Sequence, residues 1–298
     1  MEFSKRLNCF IGSNGVGKTN LMDAVFYLAL CKSNFVSDLQ SIKQGTESFY
    51  VAGEFVNDKG LYQVSIAVNT EKKKIAKLND KKYDKLAEHI GTIPLIFITS
   101  TDINIINGSG ADRRKFFDLF ISQYDKEYLN DLIKYNRLIE HRNKLLKSTQ
   151  LVDYDLFSVI DASLIIYGEN IAKKRRLLLT EFKKEFIVCY NFISTKEIVE
   201  MEYASQTSNN DYSDLLKNSF EKDKILKYTT SGIHRDDFVF KLNEMELKLV
   251  GSQGQKKSFL YALKIAQYRL LQQYFNEPPI LILDDLFDKL DKERTSKM

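Results

Sequence analysis

The chain has 298 residues, of which 44% are hydrophobic and 28% charged, enough apolar sequence for one large or two modest globular domains. Its 44 Lys and Arg against 40 Asp and Glu give a net charge of +4, too small on its own to indicate a polyanionic partner. Three widely spaced cysteines argue against a disulfide framework or a zinc site, and no apolar run approaches the ~18 residues that span a bilayer. We therefore predict a soluble protein of the cytoplasm.

The first third of the chain mixes strand and helix patterns. A short apolar run over 7–11 predicts a strand, and apolar spacing over 18–30 predicts a helix. Segments rich in Val, Ile, Tyr and Phe then predict an antiparallel meander, with strands at 49–55, 61–68 and 72–78. Residues 95–99, after Pro94, are apolar enough for a buried strand.

The rest of the chain is mainly helical in period. Apolar residues recur at helical spacing from Phe116 to Leu146 and from Phe157 to Phe182, which predicts one long helix, a polar break and a second helix in a hairpin. Beyond a polar loop at 205–214, we predict a β-hairpin from 238–242 and 246–250, and a helix over 255–274.

The strongest motif is a glycine-rich loop between the first predicted strand and helix. Residues 12–19, GSNGVGKT, match the phosphate-binding pattern G-x-x-x-x-G-K-[ST]. Glycines let backbone N–H groups converge on phosphate, Lys18 bridges the outer phosphates, and the Thr19 hydroxyl is a ligand for Mg²⁺. A plain glycine turn before a helix is the alternative. The predicted ATP-binding residues are Gly12, Ser13, Asn14, Gly15, Val16, Gly17, Lys18, Thr19 and Asn20.

A second motif lies in PPILILDDLFDKLD, residues 278–291, where an apolar run ends in Asp284 and Asp285. Buried parallel strands present ligand-binding groups at their C-terminal edge. We expect Asp284 to join Thr19 around Mg²⁺ and Asp285 to orient an attacking water, so that both act with Lys18 in catalysis. A solvated acidic turn is the alternative for the aspartate pair.

A third stretch, VGSQGQKKSF, places Ser252, Gly254 and Gln255 just before a predicted helix. Alone it is an ordinary helix start. After a phosphate loop and before an Asp-Asp strand, it has the order of motifs in ATP-binding-cassette (ABC) ATPases. With the segments STDINIINGSGADRRKFFD and SGIHRDDF, the chain resembles the RecF family of DNA recombination and repair ATPases.

This resemblance implies an α/β fold: an ABC/SMC-type P-loop ATPase head (SMC, structural maintenance of chromosomes) with an inserted helical second domain. We expect an N-terminal ATPase part at 1–110 with the P-loop and antiparallel strands, a helical domain at 111–225 and a C-terminal ATPase part at 226–298. In such heads a signature closes on ATP held by another protomer. That role falls to Ser252, Gln253, Gly254 and Gln255, and the D-loop to Asp288, Leu290 and Asp291.

The resemblance also implies a function in recombinational repair and replication-gap repair, within the SOS response. ATP binding with Mg²⁺ would drive homodimerisation on DNA, and slow, DNA-stimulated hydrolysis would release the DNA. The expected partners are single-strand/double-strand junctions or gapped duplex, bound without sequence preference, and recombination mediator proteins. The alternatives are a non-catalytic assembly protein gated by ATP and a P-loop kinase of small molecules, which should lack the signature.

DNA contacts are expected at basic clusters, because lysine and arginine neutralise phosphates without reading bases. The predicted DNA-binding residues are Arg113, Arg114, Lys72, Lys73 and Lys74. A solvated face, or a brace for the helical domain, is the alternative use of such residues.

Two further features come from the family pattern. His234, in SGIHRDDF, matches a family motif near the nucleotide, with a structural hydrogen bond as the alternative. Family members carry a strand before the P-loop strand and continue beyond the position of Asp291, so we expect this chain to be truncated at both ends.

Overall fold

The computed structural model describes residues 1–58, 60–148, 153–194 and 197–284. Its helices are α1 (Lys18–Leu30), α2 (Asp38–Ser41), α3 (Asn104–Asn107), α4 (Gly110–Tyr124), α5 (Lys126–Lys147), α6 (Tyr154–Ile193), α7 (Tyr212–Leu226), α8 (Leu247–Val250) and α9 (Gln253–Phe275). Its strands are β1 (Ser48–Asn57), β2 (Gly60–Asn69), β3 (Lys74–Leu78), β4 (Lys81–Lys82), β5 (Leu95–Ile98), β6 (Val199–Ala204), β7 (Asp237–Leu242), β8 (Met245–Glu246) and β9 (Ile280–Leu283). None of these helices is long and apolar enough to cross a membrane.

The described residues separate into two compact units. Unit 1 contains residues 1–98 and 279–284, and unit 2 contains residues 99–278. The chain therefore leaves unit 1 after β5 and returns to it at β9. The three-part division at 110 and 225, made from the sequence, stays a prediction of domain limits.

Strands β1 to β4 of unit 1 form an antiparallel sheet in chain order, which confirms the predicted meander. Val64, Ile66 and Val68 of β2 alternate with more exposed residues and are at most 1% exposed, so one face of the sheet is core. Helix α1 comes close to β1 at Gly53, where an added Cβ would lie 2.8 Å from Leu28 Cδ1. Glycine at this position therefore allows the close approach of helix and strand.

Strands β5 and β9 pair in parallel, with Leu95 opposite Ile280 and Ile98 opposite Leu283. The buried strand predicted at 95–99 is confirmed as β5, all four residues of which are buried. Parallel neighbours require a crossover connection, and here the whole of unit 2 lies between them in sequence. The pairing continues one residue further, because the Asp284 amide donates to the Ile98 carbonyl at 2.9 Å.

The strand predicted at 7–11 is wrong. Residues 1–17 form no strand in the described structure, and Leu7 and Ile11 are 82% and 92% exposed. No described strand hydrogen-bonds to this segment, so its apolar side chains have no sheet face to bury against.

Helices α5 and α6 of unit 2 confirm the predicted helical hairpin. Asp125, at the start of α5, pairs with Lys174 of α6, and Arg142, near the end of α5, pairs with the earlier Asp161 of α6. The two helices are therefore antiparallel. The single long helix expected over 116–146 is instead two helices, α4 and α5. Asp125 separates them, because its carboxylate accepts a hydrogen bond from the Tyr128 amide and caps the start of α5.

Buried ion pairs join the helices of unit 2. Arg175 of α6 is 1% exposed and donates to the carboxylate of Asp118 on α4 and to the Ile233 carbonyl. Arg142 of α5 is fully buried and donates to Asp161 and to Asp223 on α7. Removing one partner of such a pair leaves an uncompensated buried charge, which typically costs about 3–5 kcal/mol.

Two predictions for the second half of the chain need correction. Residues 247–250 form the short helix α8 instead of a strand, because the turn at Asn243 and Glu244, both in the left-handed region, closes the hairpin after two residue pairs. The sequence prediction also missed α7 and β6. The alternation of buried Val199 and Met201 with exposed glutamates was the available signal for β6.

The segment SGIHRDDF is anchored inside unit 2 by a hydrogen-bonded chain. The Thr229 carbonyl can only accept, so His234 Nε2 donates to it at 3.1 Å and Nδ1 accepts from the Tyr135 hydroxyl at 2.9 Å. Tyr135 in turn contacts the Tyr212 hydroxyl at 2.7 Å. Gly232 makes room for the tyrosines, since its φ is 126° and an added Cβ would lie 2.1 Å from Tyr212 Oη. In the described chain, His234 therefore has a structural role as a hydrogen-bonding residue, which was the alternative to a place near the nucleotide.

Acid should weaken the fold through His234. Burial, followed by the charges of Arg235 and Arg114, lowers its pKa from 6.5 to about 4. The unfolded chain therefore binds more protons between these values, so stability present above pH 6.5 is lost as the pH falls toward 4, by about 1.4 kcal/mol per unit at most. We expect His234→Gln to flatten this part of the urea-unfolding profile.

The exposed His141 on α5 provides the control, and His141→Gln should retain the wild-type slope. An unchanged slope between pH 6.5 and 4 in His234→Gln would show that another group carries the effect.

Candidate nucleotide site

The phosphate loop, residues 12–19, wraps back on itself through its glycines. Gly15 and Gly17 have φ values of 83° and 95°, in the left-handed region that side chains disfavour. Lys18 Nζ donates to the carbonyls of Gly12 and Ser13 at 2.7 and 2.9 Å, so its charge lies over the loop. Helix α1 begins at Lys18 without a side-chain cap among the described residues, which leaves first-turn N–H groups available to an anion.

The loop is joined to the strand-end aspartate. The Thr19 hydroxyl donates to Asp284 Oδ2 at 3.0 Å, although the two residues are 265 positions apart. Both belong to unit 1, where β9 pairs with β5 and ends beside the start of α1. The structure therefore brings together the two residues predicted to bind Mg²⁺.

A hydroxyl beside a carboxylate suits a hard cation that takes its other ligands from phosphate oxygens and water. Thr19 and Asp284 would hold Mg²⁺ through these oxygens. No cluster of three or more His, Cys, Asp or Glu side chains able to hold a metal occurs in the part of the chain that the structure describes.

Several predicted residues lie outside the described part of the chain. Asp285, Asp288, Leu290 and Asp291 follow the last described position, Asp284. Their proposed roles in water orientation and in the D-loop stay predictions.

The signature, residues 252–255, forms the first turn of α9. Ser252 is the N-cap. Its Oγ accepts a hydrogen bond from the backbone N–H of Gln255 at 3.3 Å, and the side-chain Oε1 of Gln255 accepts one from the backbone N–H of Ser252 at 2.8 Å. This reciprocal capping box leaves the Ser252 hydroxyl hydrogen able to donate outward from an exposed position. Gly251 is required before it, because an added Cβ would lie 2.7 Å from the Leu247 carbonyl oxygen.

The paired arginines brace unit 2. Arg113 forms a two-point contact with the Asp237 carboxylate, both distances being 2.7 Å, and its side chain is 12% exposed. Arg114 donates to the Asp236 carbonyl. Because both guanidinium groups are hydrogen-bonded within unit 2, we do not include Arg113 and Arg114 in the proposed DNA-binding surface.

The predicted lysines differ from one another. Lys74 points to the core side of its sheet, where it pairs with Asp38 at 2.6 Å and donates to the Cys31 carbonyl at 2.7 Å. It is therefore also removed from the DNA-binding set. Lys73 pairs at the surface with Glu71, and Lys72 is exposed in the turn before β3.

The sheet also displays a basic pair, Lys77 and Lys82, that is absent from the predicted DNA-binding residues. Lys77 and Lys82 are cross-strand partners on β3 and β4. Cross-strand partners point to one face, here the face opposite buried Val64 and Ile66. We call this the outer face, and its residues include Tyr50, Ser65, Ala67, Ile75, Lys77 and Lys82. Like charges side by side are unfavourable unless an anion neutralises them.

Comparisons with known proteins show similarity over the whole chain. The model of the RecF/RecN/SMC N terminal domain matches residues 1–298. The chain is 42% identical over 302 residues to the DNA replication and repair protein RecF of Phocaeicola vulgatus, covering 100% of this chain and 81% of that protein. It is 41% identical over 302 residues to that of Flavobacterium johnsoniae, covering 100% and 84%.

A solved structure gives the same result. The chain is similar to the recombination mediator protein RecF with ATP in the RecFOR pathway, with a TM-score of 0.89 and 28% identity over 95% of this chain and 79% of that one. The predicted fold class, an ABC/SMC-type P-loop ATPase head with an inserted helical part, is confirmed, as is the resemblance drawn from the motifs.

The Thr19 hydroxyl should carry the magnesium dependence of nucleotide binding. Thr19→Val keeps the shape but removes the oxygen, and we expect a loss of about 10-fold in Mg-ATP affinity, as for a hydrogen bond or ligand to a charged group. Thr19→Ser keeps the oxygen and should bind like the wild type. Titration with and without EDTA measures both. Equal affinities of the two variants for Mg-ATP would contradict the assignment.

Proposed function

Since this chain belongs to the RecF/RecN/SMC N-terminal domain family, we propose that it is an ATP-dependent DNA-binding protein of recombinational and replication-gap repair in the cytoplasm. The observation that carries the proposal is the 3.0 Å contact between Thr19 and Asp284, which joins the phosphate loop to the strand-end carboxylate. The similarity to a RecF protein with ATP supports ATP as the nucleotide.

The geometry of unit 1 supports ATP binding. The phosphates enter the loop formed around Gly15 and Gly17, at the N-terminus of α1. Lys18 exchanges its contacts with the Gly12 and Ser13 carbonyls for phosphate oxygens. Mg²⁺, when bound, neutralises charge on the outer phosphates, and Asp285 is proposed to orient the attacking water.

The signature supports a site completed by a second copy of the chain. The Ser252 hydroxyl and the uncompensated N–H groups at the start of α9 form a donor set for a γ-phosphate. A two-fold dimer makes each protomer give its signature and receive the other's. Because ATP would bind the closed dimer better than the open protomer, it would drive association.

DNA is proposed to contact the outer face of the β1 to β4 sheet. Lys77 and Lys82 lie side by side there without a carboxylate partner in the described chain, which suits a phosphate backbone. Tyr50, 69% exposed on the same face, adds an aromatic surface. Junctions or gapped duplex are the proposed substrates, and recombination mediator proteins the proposed partners. The solved relative is itself described as a recombination mediator protein in the RecFOR pathway.

We propose slow hydrolysis stimulated by DNA, with a non-catalytic assembly protein gated by ATP as the second candidate. The exposed Ser252 cap supports both, because each requires a dimer closed around ATP. Single-turnover ATP cleavage with and without DNA distinguishes them. A small-molecule kinase is disfavoured, since it has no use for the signature.

The two phosphate contacts should separate experimentally. Lys18→Ala removes a charged contact and should weaken ATP binding by about 10- to 100-fold. Ser252→Arg leaves the loop intact and should bind ATP normally, yet fail to dimerise because the long side chain fills the space into which the partner's ATP must close. Equilibrium binding and sedimentation with a non-hydrolysable ATP analogue measure these outcomes.

Ser109→Arg is the matched control, because Ser109 is an exposed N-cap in a capping box of the same type on α4. It should dimerise normally. The assignment of the signature fails if Ser252→Arg dimerises as well as this control.

DNA binding should depend on salt and not on sequence. Each neutralised phosphate adds about −0.9 to the slope of log affinity against log salt, so Lys77→Ala with Lys82→Ala should reduce the slope by about 2. The control is Lys224→Ala with Lys241→Ala, since these lysines pair with Glu221 and Glu202. Equal slopes for the two double variants would remove the outer face from the proposal.

A further inference from the structure

The side-chain amide of Gln255 lies between two groups with opposite requirements. Its Oε1 accepts from the backbone N–H of Ser252 at 2.8 Å. Its Nε2 donates to Glu197 Oε1, also at 2.8 Å. Glu197 is far from the signature in sequence, in the segment between α6 and β6, and it is half-buried.

The carboxylate decides which way this amide faces. An ionised carboxylate only accepts hydrogen bonds, and a backbone N–H only donates. If the Gln255 side-chain amide were flipped, its NH2 group would face the Ser252 N–H, donor against donor. Its oxygen would face the Glu197 carboxylate, acceptor against acceptor. Glu197 therefore holds Gln255 in the one orientation that completes the capping box around Ser252.

Glu197 is itself fixed by the helical hairpin. Its Oε2 accepts from the Tyr190 hydroxyl at 2.5 Å, and Tyr190 is fully buried on α6. The rings of Tyr190 and Phe186 pack against Phe259 of α9, with centroid distances of 6.0 and 4.6 Å. The carboxylate is thus held against the same helix that begins with the signature.

We propose that Glu197 is a positioning residue for the signature, acting through Gln255 to keep the Ser252 hydroxyl aimed outward for the γ-phosphate of a partner's ATP. This rests on the proposed function. Glu197 touches neither nucleotide nor metal in this scheme. Its effect is confined to the step in which two protomers close, and ATP binding by the single protomer is independent of it.

Exchanging the acid and the amide between positions 197 and 255 tests the contact of Glu197 with Gln255, because Glu and Gln have nearly the same shape. Gln255→Glu places two carboxylates against each other in a part-buried contact. It should weaken dimerisation in the presence of a non-hydrolysable ATP analogue by about 10-fold, since the hydrogen bond between residues 255 and 197 is replaced by repulsion. Adding Glu197→Gln to this variant restores one donor facing one acceptor. The double variant should dimerise at least about 3-fold better than Gln255→Glu alone, and this gain over the single variant is the readout, because the exchange leaves a carboxylate in the signature itself.

Truncation gives a second measurement. Glu197→Ala should weaken dimerisation by about 5- to 10-fold, the range for losing a helix cap. Glu200→Ala, at an exposed position on nearby β6, should change nothing. ATP affinity of the protomer and the thermal midpoint are recorded for every variant. Should Glu197→Ala fail to fold, the exchange of Gln255→Glu and Glu197→Gln still decides the question.

The outcomes separate the two proposals. If the wild-type protein does not dimerise with the nucleotide, the proposed function is overturned and this inference with it. If the wild type dimerises but Glu197→Ala matches it, or if the double variant gains nothing over Gln255→Glu, only the role of Glu197 is overturned. Weakened protomer ATP affinity in these variants would also contradict a role limited to closure.

Discussion

The parallel pairing of β5 with β9 is the constraint on which the nucleotide site depends. Asp284 reaches Thr19 only because β9 returns to unit 1 and hydrogen-bonds alongside β5. A flexible connection of this length would lose entropy on closure, although each doubling of loop length costs only about 0.6 kcal/mol more. Here the connection is a compact folded unit, unit 2, and not a flexible loop.

Buried ion pairs as well as apolar packing join the helices of unit 2. Arg175 and Arg142 are buried and each joins helices that are distant in sequence. Such networks constrain which helix faces can meet, because any other arrangement leaves a charge without its partner. In this protein the constraint extends to α9 through Tyr190 and Glu197, so the position of the signature is tied to the hairpin.

The phosphate loop, the helix that follows it and the aspartate strand could be predicted from the sequence because their motifs are local. Contacts made across the chain were not visible there. The sequence favours Arg113 as a DNA contact, but the folded chain pairs it with the Asp237 carboxylate. Lys77 and Lys82 become neighbours only through the register of β3 and β4, which the sequence does not show. Likewise the apolar run at 7–11 has the composition of a strand but no described partner strand.

The proposed function depends on an ATP site that is formed by the phosphate loop of one protomer and completed by the signature of another. The most direct measurement mixes Lys18→Ala protein with Ser252→Arg protein and follows ATP cleavage. Each variant alone should be inactive, whereas the mixture should regain activity from one composite site, which pairs the intact loop of the Ser252 variant with the intact signature of the Lys18 variant. A mixture as inactive as its components, or normal cleavage by Ser252→Arg alone, would contradict the account.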